Sequence, residues 1–227
     1  MISRLLPRLT VAALALVSFE ASAISIGFSN DFSTDVEGWQ HGNVTSDSPT
    51  RIATGGPGGG SDPFMQFASG TGVARLAAFN TDSGWTGDYT TAGVTGISLD
   101  VNNTGATALD LRFAITGPGG GWVSTNSVSL GAGSGWTSIL IPIDAGSLTA
   151  TGAAGATAAG TNVGQTLGGV TQLRLISSAG GANFRGDAIT ATLGVDNVTA
   201  VPEPGTYAMI LGALGLGFAA YRRRSNA

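Results

Sequence analysis

A period of two runs through this chain. Leu109, Leu111, Phe113 and Ile115 alternate with Asp110, Arg112 and Ala114, and Ile97, Leu99 and Val101 alternate with Ser98 and Asp100. Ile139, Ile141 and Ile143 repeat the pattern, as do Ile189, Ala191, Leu193 and Val195; residues 73–79 and 170–176 are further candidates. Successive side chains of a strand point to opposite faces, so this alternation marks strands with one buried and one wet face. No helical pattern of useful length competes with it. Between the strands lie Asn102-Asn103-Thr104-Gly105 and Gly117-Pro118-Gly119-Gly120-Gly121, which are turn chemistry. The pattern predicts an all-β fold, an antiparallel β-sandwich of jelly-roll-like form. Two low-complexity stretches, 55–61 (GGPGGGS) and the Ala/Gly/Thr-rich 150–166, read as a mobile loop and a long surface loop.

Both ends stand outside that fold. Arg4 and Arg8 precede an apolar run at 9–19 and an Ala21-Ser22-Ala23 cleavage site, the layout of a signal peptide, so the mature chain is predicted to start at Ile24. At the other end come Pro202-Glu203-Pro204, an apolar run over 207–221, then Arg222, Arg223 and Arg224. The run is a little under the roughly 17–25 residues that span a bilayer comfortably. Its arginines should stay cytoplasmic and leave everything upstream outside. The two prolines disfavour helix and keep the box extended, a form a protease cleft can bind. These three parts, in this order, resemble the PEP-CTERM sorting tail. The resemblance implies a transient inner-membrane anchor, read and removed by an exosortase-type protease. The chain then divides into a signal peptide (1–23), a β-sandwich domain (24–200) and a sorting tail with a transmembrane helix (201–227).

The domain is long enough for one core. It contains no cysteine, so an exported chain that could use disulfides must rely on packing or a metal. Five arginines face twelve acidic residues between 24 and 201, a net charge of about −7. An acidic surface repels phosphate backbones, which speaks against nucleic acid and leaves neutral glycans and divalent cations compatible.

Asn30-Asp31-Phe32 with Glu37-Gly38-Trp39 opens the domain, Gly84-Trp85-Thr86-Gly87-Asp88-Tyr89 precedes the Ile97 strand, and Gly194-Val195-Asp196-Asn197-Val198 closes it. This order is similar to jelly-roll sandwiches of the laminin-B and carbohydrate-binding-module type. In many of those the first and last strands share a structural calcium, and by position Asp31 and Asp196 would be its carboxylates. The family often has an acidic residue after the aromatic, where this chain has Ser33; Asp196-Asn197 reads equally as a strand-end turn. Trp85 and Trp122 are the candidates for stacking on sugar rings, whereas Trp39 and Trp136 read as core.

Catalysis has little to stand on. His41 is the only histidine, and the carboxylates are scattered without a marked facing pair. The expectation is a non-enzymatic protein, exported through an inner-membrane intermediate to the cell surface or medium. Its expected role is structural or adhesive, in association with exopolysaccharide. The alternatives are a secreted glycoside hydrolase or lyase, and a surface protein without a specific ligand. An acidic pair on a tryptophan-lined concave face would mark the enzyme; four buried tryptophans would mark the passive protein.

Overall fold

The computed structural model describes residues 23–41, 48–70 and 74–202. These build two antiparallel sheets packed face to face, the predicted sandwich. The first sheet runs β10 (Thr137–Pro142), β6 (Gly96–Asn103), β13 (Ala191–Val201), β4 (Phe64–Ser69), β3 (Thr50–Ile52), with β1 (Ser29–Asn30) also paired to β13. The second runs β11 (Leu148–Ala150), β8 (Gly120–Ser124), β7 (Leu109–Gly117), β12 (Gln172–Ser177), β5 (Ala77–Asn80), β2 (Gln40–His41), with β9 (Val128–Leu130) also on β7. Two short helices, α1 (Tyr89–Ala92) and α2 (Val163–Leu167), are capped by Asp88 and Asn162, whose side chains accept from the backbone N–H groups of Thr91 and Gln165.

Period two does what it predicts. Ile97, Leu99 and Val101 of β6, Leu193 and Val195 of β13, and Leu109, Leu111, Phe113 and Ile115 of β7 all enter one buried core. Each such side chain contributes about 1.5–3 kcal/mol on leaving water. In β13 the pattern breaks at the closing motif. Asp196 pairs with Asp100, but the next pair is Thr199 with Ser98, so β13 carries one extra residue there. Asn197 absorbs it at a φ of 51°, and both Val195 and Val198 stay buried although three apart. The Asp-Asn-Val signature is a β-bulge.

The opening motif is also structural. Asn30 is 6% exposed, and its side-chain oxygen accepts from both Trp39 Nε1 (2.9 Å) and Trp85 Nε1 (2.5 Å). Trp85 also meets Phe28 and Trp39 edge-on, at 5.1 and 6.3 Å between centroids. Packing against this core begins at Ile24, whose N–H donates to Thr86 O. The glycine-rich 55–61 stretch, expected to be mobile, is a braced turn. Gly56 N donates to Asp62 O at 2.8 Å, Gly58 N to Asp62 Oδ2 at 2.6 Å, and Trp136 Nε1 to Gly55 O at 2.8 Å.

Candidate functional site

The second sheet is covered on its outer face as well. Gln40, Phe79, Arg174, Ala114, Val123 and Thr149 stand in register across it, so they share that face. The neighbouring row holds Gln172, Thr116 and Gly121. Over the face lie two segments, 152–161 and 179–187. Ala77, Ala114, Val123, Ile176 and Phe184 form a second small apolar cluster beneath them, with Ala154 packed on it.

Glycine sets the first segment in place. Gly121 N donates to Ala158 O, Gly160 N to Thr151 O and Thr161 N to Gly119 O, each at 2.9 Å. A Cβ on Gly119 would stand 1.8 Å from Asn162 O, and one on Gly120 2.0 Å from Ala159 O. The 117–121 run is therefore a track on which another backbone rests, beyond the turn its sequence signals. Gly120 also has a φ of +89°. Gly120→Ala is expected to cost about 2 kcal/mol, read as a lower urea midpoint with faster proteolysis within 152–161.

The second segment is tied by its own carboxylate. Asp187 accepts from Ala179 N (2.7 Å), Asn183 Nδ2 (2.9 Å) and Ser178 Oγ (3.2 Å), and Arg75 donates to Gly186 O. This holds Phe184 over Arg174, whose guanidinium lies 4.8 Å from that ring and 5.4 Å from the ring of Phe79. Arg174 is 8% exposed; burial first, and the charge of Arg185 second, push its pKa down to about 10. Arg112 on the same face donates to the carbonyls of Ser178, Ser124 and Thr125.

Between segments and sheet run three adjoining hollows of about 350, 270 and 280 Å³. The first two share Ala156, Thr157 and Gln172; the second and third share Ala154, Gly155, Phe184 and Arg185. Together they make a groove along the sheet with hydroxyl, amide, aromatic and guanidinium groups in its walls. Among the described residues no acidic side chain lines any of the three. An in-register acidic pair, Asp100 and Asp196, lies in the first sheet, where Asp196 is 1% exposed.

The tryptophans expected to stack on sugars are elsewhere. Trp85 is fully buried and offers no face. Trp122 pairs with Ile115, points into the sandwich and packs half-buried on the core. Trp136, read as core, is only half-buried as well, and it lies on the outer face of the first sheet, edge-on to Phe64 at 5.1 Å. Trp39 is core as expected. The residues that the sequence reading missed are Phe79, Gln172, Arg174 and Phe184. Their one legible signal is an arginine inside the apolar run Leu173-Arg174-Leu175-Ile176.

Asp31 and Asp196 do come into one neighbourhood. Asn30 pairs with Val198, which sets Asp31 beside the bulge. Burial first, then the hydrogen bond from Asn197 in opposition and the charges of Asp62, Asp100 and Asp31 in support, leave the Asp196 carboxyl pushed up to about 7. Calcium wants six to eight oxygens. Among the described residues no three histidine, cysteine or acidic side chains gather closely enough to hold an ion. Asp31 Oδ1 is turned to Ser33 N at 3.0 Å, and the carbonyls of Phe32 and Ser33 accept from Arg51 at 2.8 Å each. These residues as arranged do not fit the calcium site that the resemblance implies.

Of the processing residues, Ala23 is exposed and Pro202 buried at the end of β13. Ala21, Glu203, Pro204, Arg222, Arg223, Arg224 and the apolar run 207–221 lie outside the described residues. Among the described residues no helix is long and apolar enough to cross a membrane.

Residues 200–224 match the PEP-CTERM protein-sorting motif, which marks an exported protein sorted through the membrane, with exosortase processing implied. The sandwich is similar to the family 11 carbohydrate-binding module of Clostridium thermocellum in complex with a β-1,3-1,4-mixed-linked tetrasaccharide. The TM-score is 0.52 and the identity 19%, over 80% of this chain and 98% of that one. The solution structure of CtCBM11 gives the same score and identity over 81% and 98%. The family 11 module of a cellulosomal cellulase from Clostridium thermocellum gives a TM-score of 0.50 and 17% identity over 80% and 96%. At these identities the likeness is one of fold. No curated protein matches the chain.

Proposed function

We propose that this chain is an exported, non-enzymatic polysaccharide-binding protein that holds an extended glycan in the groove over its second sheet. The observation that carries the reading is the groove itself, three hollows in a line on a sandwich whose fold is that of carbohydrate-binding modules. Thr116, Thr157, Thr171 and Gln172 offer donors and acceptors along one stretch, and the exposed Arg185 guanidinium offers further donors along the next. Recognition of this kind is shallow and repeated along a chain, which suits a structural or adhesive role in exopolysaccharide at the cell surface or in the surrounding matrix. The sorting tail serves delivery. An inner-membrane intermediate, held by the apolar run and its cytoplasmic arginines, is released by an exosortase acting near Pro202-Glu203-Pro204.

Affinity electrophoresis of the mature protein through gels containing exopolysaccharide from its own source tests this. Retardation is expected, and Thr157→Trp, which fills the two hollows that share this residue, is expected to weaken it at least tenfold with the melting temperature unchanged. Equal retardation of both proteins would move binding off the groove. Free migration of the wild type on every polysaccharide would leave a passive surface protein.

A further inference from the structure

Among the described residues two large hydrophobic side chains are exposed, Ile26 at 46% and Leu140 at 38%. They stand at the same end of the sandwich, on either side of the strand end from which the sorting tail departs. Gly27 N donates to Ala200 O at 2.8 Å, which sets the turn carrying Ile26 against one edge of β13. On the other edge Val201 pairs with Gly96 and Gly96 with Pro142, so Leu140, Pro142 and Val201 share the outer face there. Leu140 Cδ1 lies 3.0 Å and Val201 Cγ2 3.4 Å from where a Cβ on Gly96 would be, and Ile26 Cδ1 3.5 Å from that of Gly93. Thr95, between these two glycines, donates its N–H to Val201 O at 3.0 Å. Pro142 is exposed as well. The register rows of this corner, Pro142-Gly96-Val201 and Leu140-Ser98-Thr199-Ser29, hold no charged residue, on a domain that is strongly acidic.

The length of chain beyond the corner bears on what covers it. From Pro202 to Tyr207, where the apolar run begins, is a step of five residues, at most about 18 Å when fully extended. The run 207–221, read as the membrane helix of the sorting tail, would be about 22 Å long against a hydrocarbon core of roughly 30 Å. With Arg222, Arg223 and Arg224 in the cytoplasmic headgroups, such a helix stops about 8 Å short of the opposite hydrocarbon surface. Climbing out leaves the connecting residues about 10 Å of reach, little more than a headgroup layer. The short span therefore draws the end of β13 down onto the lipid.

We propose that the corner formed by Ile26, Leu140, Pro142 and Val201 is a lipid-contact surface. It seats the anchored precursor on the outer leaflet of the inner membrane and holds Pro202-Glu203-Pro204 at headgroup depth, within reach of a membrane-embedded protease. Apolar side chains at the acyl boundary leave water, and the short tail keeps them at high local concentration over it. The carboxylates nearest along the chain, Asp88 and Asp144, keep their charge, so zwitterionic headgroups suit the corner better than anionic ones. This rests on the inner-membrane intermediate of the sorting reading.

The chain has no cysteine, so single labelled cysteines test the contact directly. The protein with its sorting tail is reconstituted in phosphatidylcholine vesicles brominated on the acyl chains. A fluorophore on Ile26→Cys or Leu140→Cys is expected to be quenched at least threefold more than one on Ala132→Cys, an exposed position in the turn before β10, at the opposite end of that strand from Pro142. Leu140→Glu in the Ile26→Cys chain is expected to remove the quenching with the melting temperature unchanged. A label on Ala213→Cys reports on the tail itself. Quenching at position 213 without quenching at 26 or 140 would overturn the lipid contact and leave the anchor standing. Equal quenching at 132 and 140, or full quenching at 26 in the Leu140→Glu chain, would overturn the choice of this corner. No quenching even at 213 would overturn the membrane intermediate and the contact with it.

Discussion

Asn30→Ala is expected to destabilise the fold by about 3 kcal/mol, the largest effect foreseen for a single polar residue here. One side-chain oxygen accepts two indole N–H groups, from Trp39 and Trp85, inside the core. Truncation strands both donors in apolar surroundings, and each buried orphan costs about 1–3 kcal/mol. It also frees the edge-on packing of Trp85 against Phe28 and Trp39. Asn30→Asp keeps an acceptor and should lose less than the alanine variant above pH 5. Urea unfolding followed by tryptophan fluorescence reads both, and a loss under 1 kcal/mol for alanine would show that the indoles find other partners.

Replacing Asp196 by asparagine should do the opposite and stabilise the protein at neutral and alkaline pH. The carboxyl is almost wholly buried, faces Asp100 across the strand pair, and is pushed from 3.8 up to about 7. A folded-state pKa raised above the unfolded one means that the native protein holds the proton more tightly. That contribution is complete below about pH 4 and is lost as pH rises to about 7. Each pKa unit corresponds to about 1.4 kcal/mol. With water at the strand edge screening part of it, the net effect is on the order of 2 kcal/mol. The wild type in chelator is expected to lose melting temperature between pH 4 and 7, and Asp196→Asn to flatten that slope and exceed the wild type at pH 8. If the variant instead melts lower at pH 8, and calcium raises the melting temperature of the wild type, Asp196 is an ion ligand and the strand edge closes around a cation.

Much of the architecture was legible because alternation is a local property. Strands β5, β6, β7, β10, β12 and β13 each overlap a segment predicted from it. Strand β4 was missed because Phe64, on the outer face, is buried against Trp136, so Phe64-Met65-Gln66-Phe67 shows no clean period. Strands β1, β2, β3, β9 and β11, of two or three residues, are too short to display a period at all. The resemblance implies that Asp31 and Asp196 lie close, and the pairing of Asn30 with Val198 does set Asp31 beside the bulge. Among the described residues that ligand geometry is not formed; Arg51 donates to the loop carbonyls of Phe32 and Ser33, and Ser33 N to the Asp31 carboxylate.

The sequence by itself determined the longer alternating strands, the turns between them, the β-sandwich class and the sorting motif at its end. All of these depend on residues a few positions apart, where the pleat and the turn dictate which types can stand. Only the tertiary structure decided which aromatic residues face outward and where a glycan could lie. Trp122 points inward because Ile115 is its register partner, and Arg174 lies between Phe79 and Phe184 because strands and a loop far apart in sequence converge on one face. Register, bulges and the docking of loops on glycine tracks are set by long-range packing, and a residue's own neighbours in the chain carry no record of them.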